Sequence, residues 1–152
     1  MRHFQKTLER IRFGWGNADA FFALQEKKAM HKRERSEWTE QRVRNDQAYF
    51  ILMFAAFEDL VRRKFQQVRN RHAAAEKPWK TRRVWQELSP EAPFLTKLAV
   101  LTEKGQSNFN AIRSLYRNQR NRIAHGDFAA VGPIVIPIVH SELVRISRQL
   151  SN

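Results

Sequence analysis

Cysteine is absent from the 152 residues, which excludes disulfides, thiolate metal sites and a cysteine nucleophile together. Its absence fits a reducing compartment, and so a cytoplasmic location. Glycine and proline are scarce, five of each, so few positions force a helix to stop. Acids are outnumbered, 15 Asp and Glu against 28 Lys and Arg, for a formal net charge of +13. The longest apolar run, Ala48 to Phe57, is ten residues and too short to span a bilayer. The first residues lack the charged-then-apolar order of a signal peptide. A soluble, intracellular chain with no membrane segment is expected. His3, His31, His72, His125 and His140 are scattered without HxxxH or HExxH spacing, so neither a metal nor any other cofactor is expected.

What is present is helical periodicity in a chain of single-domain length, residues 1–152. Phe4, Leu8 and Ile11 make a short amphipathic start, and Gly14-Trp15-Gly16-Asn17 reads as a turn in which Asn17 caps the next helix. That helix is predicted from Ala18 to about Trp38. Its second half carries Lys27, Lys28, Lys32, Arg33 and Arg35, either a solvated face or a contact for an RNA backbone. From Glu40 to about Arg71 no Gly or Pro intervenes, which predicts a long central helix. Its stretch from Tyr49 to Phe57 is apolar all round and needs cover from other helices or from a second subunit. Glu58 lies on the same stripe as Ile51, Phe54, Val61 and Phe65. A carboxylate there either meets a cation or sits at the stripe's exposed edge.

Arg69 to Pro78 breaks the period and reads as a loop, with Arg69, Arg71, Lys77, Lys80, Arg82 and Arg83 around it. Trp79 and Trp85 lie among those charges, either as core or as platforms for unpaired bases. Phe94 to Glu103 is a short predicted helix with Leu95, Leu98 and Leu101 inward, closed by Gly105. Ser107 or Asn108 is the expected cap of the next helix, whose apolar positions are Phe109, Ile112, Leu115 and Tyr116. Val131 to Pro137 favours extended chain, and a last helix from about Ile138 to Leu150 points Leu143, Ile146 and Leu150 inward. The expected fold is all-α: a compact bundle of about five helices with a short extended segment before the C-terminal helix.

The polar run Arg117-Asn118-Gln119-Arg120-Asn121-Arg122-Ile123-Ala124-His125-Gly126 falls on the last turns of the fourth or fifth helix, with Gly126 as its C-cap. Histidine suits proton abstraction from a ribose 2′-hydroxyl near neutral pH, and a guanidinium holds two phosphate oxygens in a fork. Asn121 is placed to orient either group. Arg120 and His125 are five residues apart, about 140° of helical rotation, so only a long side chain closes the gap. Arg117 shares the His125 face and is a second candidate for phosphate contact. The bland alternative is a helix-terminal histidine on the last carbonyls among solvated arginines.

The pattern Arg120-Asn121-x-x-Ala124-His125-Gly126 resembles the Rx4-6H motif of the HEPN superfamily, and Ala56-Phe57-Glu58 is similar to the corresponding central helix. The superfamily comprises all-α domains, many of them metal-independent ribonucleases and others non-catalytic partners in toxin–antitoxin, anti-phage and RNA-processing systems. The resemblance covers the central helix, the motif helix and the closing segment. It implies an endoribonuclease with Arg120, Asn121 and His125 as catalytic residues and no metal or cofactor. It also implies a homodimer with two motifs facing one another, and an antitoxin as a further partner. Glu58 and Arg117 are the expected supporting residues, with Glu58 steadying Arg120 or another guanidinium of the motif.

The charge balance favours nucleic acid as partner, with Arg69, Arg71, Lys80, Arg82, Arg83 and Arg122 as the backbone-contacting set. An acidic protein or an anionic surface meets the same electrostatic demand. Two rival functions stand beside the nuclease: a non-catalytic HEPN RNA-binding module, and a helix-turn-helix DNA regulator built on the helix–Gly–helix stretch from Phe94 to His125. The second rival conflicts with the position of the polar cluster, which lies at the end of its helix and not at the start.

Overall fold

The computed structural model describes residues 2–102 and 106–150, and among these every regular element is helical. Helix α1 is Arg2–Lys28, α2 Lys32–Ala73, α3 Trp79–Glu87, α4 Phe94–Leu101 and α5 Gln106–Leu115. A π turn, Tyr116–Arg120, joins α5 to α6, Asn121–Ala124; a 3-10 turn, Phe128–Ala130, then leads to α7, Ile136–Ser147. With α5, the π turn and α6 taken as one interrupted helix, the described residues form an all-α bundle of six helices, close to the expected number.

Helix α2 is the axis. Its 42 residues make a rod about 60 Å long, and Phe50, Met53, Phe54, Phe57, Val61 and Phe65 are buried along it. Phe4 and Leu8 of α1, Leu98 and Leu101 of α4, Ile112 of α5, and Ile136, Leu143 and Ile146 of α7 close around that row. Each such side chain contributes about 2 kcal/mol by leaving water. The run from Tyr49 to Phe57 is thereby covered on most sides, but Ala48, Leu52 and Ala55 stay exposed along one stripe.

The N-terminal third differs from expectation. Gly14 to Asn17 is not a turn, and Asn17 caps nothing: α1 runs straight through both glycines. Phe4, Leu8, Ile11 and Trp15 keep one helical face against the core, and that continuous stripe outweighs roughly 1 kcal/mol of lost helix propensity per glycine. Gly14 also admits the Tyr49 ring, whose hydroxyl would lie 3.2 Å from a β-carbon there. The break falls instead at Ala29–His31, so no helix spans 18–38 and α2 begins at Lys32. Beyond Lys27 an extended α1 would carry little but charge, whereas reversing the chain lays α2 back along α1. Phe22 meets Trp38 with ring centroids 6.2 Å apart, and Arg42 bridges Asp19 at 2.9 Å and Glu26 at 3.0 Å. The Thr39 hydroxyl first, and then the Arg42 guanidinium, holds the Glu26 carboxyl below its usual pKa.

Other boundaries shift less. The basic loop shrinks to 74–78, because α2 continues through Ala73 and Trp79 starts α3. Asn108 is no cap; it lies inside α5, buried, and receives the guanidinium of Arg145 at 2.9 Å. Extended chain covers 131–135, and Pro137 falls in the first turn of α7, where its missing N–H costs no hydrogen bond. Glu103 and the expected stop at Gly105 lie outside the described residues.

Candidate functional site

Glu58 reaches the site because α2 carries it between the buried Phe54 and Val61, on the edge of the core row with its side chain 24% exposed. Opposite stands Tyr116, packed on Phe54 with ring centroids 6.1 Å apart and on Phe94 at 5.0 Å. At Tyr116 the helix widens: its carbonyl accepts the N–H of Asn121, five residues on. The wide turn inserts one residue and turns everything downstream by about 100° relative to an uninterrupted α-helix.

Arg120, the last residue of that turn and four after Tyr116, lies over α2. Its guanidinium carbon lies 5.5 Å from the centre of the Tyr116 ring. Its Nη2 donates to Glu58 Oε2 at 3.3 Å, and its Nε lies 3.0 Å from Oε1 as an ion-pair contact without hydrogen-bond geometry. One hydrogen bond and one ion-pair contact thus engage the same edge of the guanidinium. Its Nη1 stands 3.5 Å from Asn121 Oδ1, a weak contact. Glu58, Tyr116, Arg120 and Asn121 therefore form one connected group, and the partner expected for Glu58 is Arg120.

His125 ends the helix at φ −94° and ψ 6°, its N–H donating to the Asn121 carbonyl at 3.0 Å. Gly126 follows at φ 78°, the left-handed conformation that suits glycine. Gly126 N–H donates to Ile123 O at 3.0 Å and Asp127 N–H to Arg122 O at 2.9 Å, the paired bonds of a Schellman C-cap. The C-cap expected at Gly126 is thus in place. The imidazole is exposed, and among the described residues His125 joins the connected group through its backbone bond to Asn121. Arg117 is also exposed.

The remaining basic residues divide. Arg69 donates from Nε to Leu88 O at 2.7 Å and from Nη2 to Gln86 O at 3.3 Å, closing the end of α3. Arg82 reaches Ala75 O at 3.3 Å, and Arg122 reaches Ala130 O at 2.8 Å. Three of the six residues expected on a nucleic-acid backbone thus also bind carbonyls of their own chain. Arg71, Lys80 and Arg83 are exposed. Tyr116, which reads in the sequence as one more apolar helix position, is the site residue that periodicity does not single out. Its aromatic face two residues past Ser114 and four before Arg120 is the only local signal.

A groove of about 750 Å³ lies beyond the C-cap, lined by Glu40, Val43, Arg44, Gln47, Phe128 and Val131. It includes neither Arg120 nor His125. The described residues hold no cluster of three or more histidines and carboxylates arranged for a metal ion, and no helix long and apolar enough to cross a membrane. Comparison with family models, curated proteins and solved structures finds no match to this chain.

Proposed function

We propose that the protein is a metal-independent endoribonuclease of HEPN type. The observation that carries the reading is the ion pair between Glu58 and Arg120: a motif guanidinium held by an acid 62 positions away, beside Asn121 and five residues before an exposed His125. In this reading His125 removes the proton from a 2′-hydroxyl, and that oxygen attacks the adjacent phosphorus. The free edge of Arg120 and the nearby Arg117 stabilise the charge that accumulates on the phosphoryl oxygens. The bond to the 5′-oxygen breaks, an acid protonates it, and the products are a 2′,3′-cyclic phosphate and a 5′-hydroxyl.

The acid is the His125 of a second copy. Ala48, Leu52 and Ala55 expose an apolar stripe on α2 beside Glu58, with Leu52 53% exposed, and pairing two copies there covers the stripe and screens both motifs from water. Screening matters because a guanidinium stabilises charge far better where solvent is excluded. An antitoxin covering the same face, in a toxin–antitoxin or anti-phage system, fits this reading.

A non-catalytic RNA-binding module is the second reading, favoured by the imidazole of His125, which no side chain among the described residues orients. A helix-turn-helix regulator fits less well, since the first turn of α5, Gln106 to Phe109, carries no cation to meet DNA. The test is incubation with single-stranded and hairpin RNA in excess EDTA, with end-group analysis. The nuclease yields cyclic phosphate ends, and His125→Ala loses cleavage while RNA affinity holds within about twofold, because a neutral imidazole adds little to counterion release. Cleavage that requires Mg²⁺ rejects the mechanism; binding without cleavage leaves the module.

A further inference from the structure

From Arg69 to Arg83 inclusive there are six Lys and Arg residues and one acid, Glu76, and the packing of α3 sorts them. Thr81, Arg82 and Trp85 are half-buried on the side facing α2, where the Trp85 ring stacks on His72 at 4.9 Å and 16°. Trp79, Lys80, Arg83 and Val84 consequently point outward. The two tryptophans of this helix have opposite roles. Trp85 wedges α3 against the core, whereas Trp79 is 60% exposed and enters no ring contact among the described residues.

An indole left in water serves no packing purpose. On α3 it lies one turn from Arg83 and next to Lys80, and no ion pair engages either cation among the described residues. A flat apolar face bordered by unneutralised cations complements a ligand that is itself flat in one part and anionic in another. A nucleotide is such a ligand, its base stacking on the ring while the flanking phosphates meet the cations. Only an unpaired base offers its face, since a duplex keeps its bases stacked on one another. A lipid surface fits poorly: the helix has nine residues, and Trp79 and Val84 are the only apolar residues pointing outward among Lys80, Arg83, Gln86 and Glu87.

We infer that the outward face of α3, with Trp79 as platform and Lys80 and Arg83 as phosphate contacts, is a subsite for an unpaired RNA nucleotide, separate from the Glu58–Arg120 site. The inference rests on the RNA reading above and adds a preference for single-stranded segments. The experiment titrates the full chain into labelled oligouridylate and into a blunt RNA duplex of equal length, at several salt concentrations. Trp79→Ala is expected to weaken oligouridylate about tenfold and duplex less than twofold, while Trp79→Phe retains most of the affinity. Replacing Lys80 and Arg83 together by Ala lowers the slope of log affinity against log salt by about 1.4 on the single strand.

Trp79 is exposed, so its variants keep the fold, which circular dichroism checks. Equal binding of oligouridylate by wild type and Trp79→Ala overturns the subsite and leaves the cleavage assignment standing. A wild-type chain that binds neither RNA overturns both, as does Trp79-dependent binding to phosphatidylserine vesicles without RNA binding.

Discussion

The Glu58 carboxylate holds the Arg120 guanidinium through a hydrogen bond from Nη2 to Oε2 at 3.3 Å and an ion-pair contact of Nε with Oε1 at 3.0 Å. The two contacts hold one edge of the guanidinium in place, and the Tyr116 ring at 5.5 Å lies against it. A long side chain otherwise loses considerable rotamer freedom on binding phosphate; here much of that ordering is complete in the free protein.

If Glu58 positions Arg120 for catalysis, Glu58→Gln should lower the cleavage rate by about one to two orders of magnitude, the scale of one misplaced transition-state donor. RNA affinity should hold or rise, because a negative charge has been removed. Arg120→Lys should restore little, since an ammonium cannot reproduce both contacts. Unchanged single-turnover rates in Glu58→Gln would show the pair to be structural only.

The paired-motif reading makes a prediction that point variants of one chain do not. Because each centre uses the His125 of both chains, a heterodimer of wild type and His125→Ala should be inactive, so an excess of His125→Ala chain, exchanged after mild dissociation, should depress the wild-type rate well below simple dilution. Specific activity should also fall on dilution. An active monomer by sedimentation at assay concentration removes the facing His125 as the acid.

The continuity of α1 can be tested through its glycines. At Gly16 a β-carbon meets nothing within 4 Å, so Gly16→Ala should stabilise by about 0.5–1 kcal/mol in urea denaturation. Gly14→Ala should gain less or lose, because its β-carbon sits 3.2 Å from the Tyr49 hydroxyl. Destabilisation by Gly16→Ala would restore a turn at 14–17.

His140 is 7% exposed, and burial above all holds its pKa below the ordinary 6.5, with Arg12 adding to the effect and Glu9 opposing it. Its Nε2 lies 3.3 Å from Glu9 Oε1 without hydrogen-bond geometry. Since the unfolded chain takes up this proton more readily than the folded one, the contribution of the neutral ring is intact above about pH 6.5. It declines as pH falls from there toward the lower folded pKa. The melting temperature of His140→Gln should therefore fall less steeply than that of wild type between about pH 7 and 5. Parallel curves would show that His140 does not carry the slope.

Periodicity in the sequence determined the all-α class, the central helix and its inward residues, because helix formation and burial of a stripe are encoded within a few neighbouring positions. Phe54, Phe57 and Val61 on α2 and Leu143 and Ile146 on α7 are core residues on that ground. Gly126 as the stop of the motif helix was equally legible, since a positive φ selects glycine locally. The reversal at Ala29–His31 was not, because it uses neither Gly nor Pro and results from what α1 and α2 gain by packing together. Nor was the π turn at Tyr116, which no residue type announces. The expected pairing of Glu58 needed only a core stripe interrupted by a carboxylate, but the choice of Arg120 over its neighbours depended on how the motif helix packs against α2. The division of the arginines into Arg69, Arg82 and Arg122, bonded to carbonyls, and Arg71 and Arg83, left exposed, belongs wholly to tertiary structure. A guanidinium's partner there is a backbone oxygen brought near by packing, and no side-chain pattern records it.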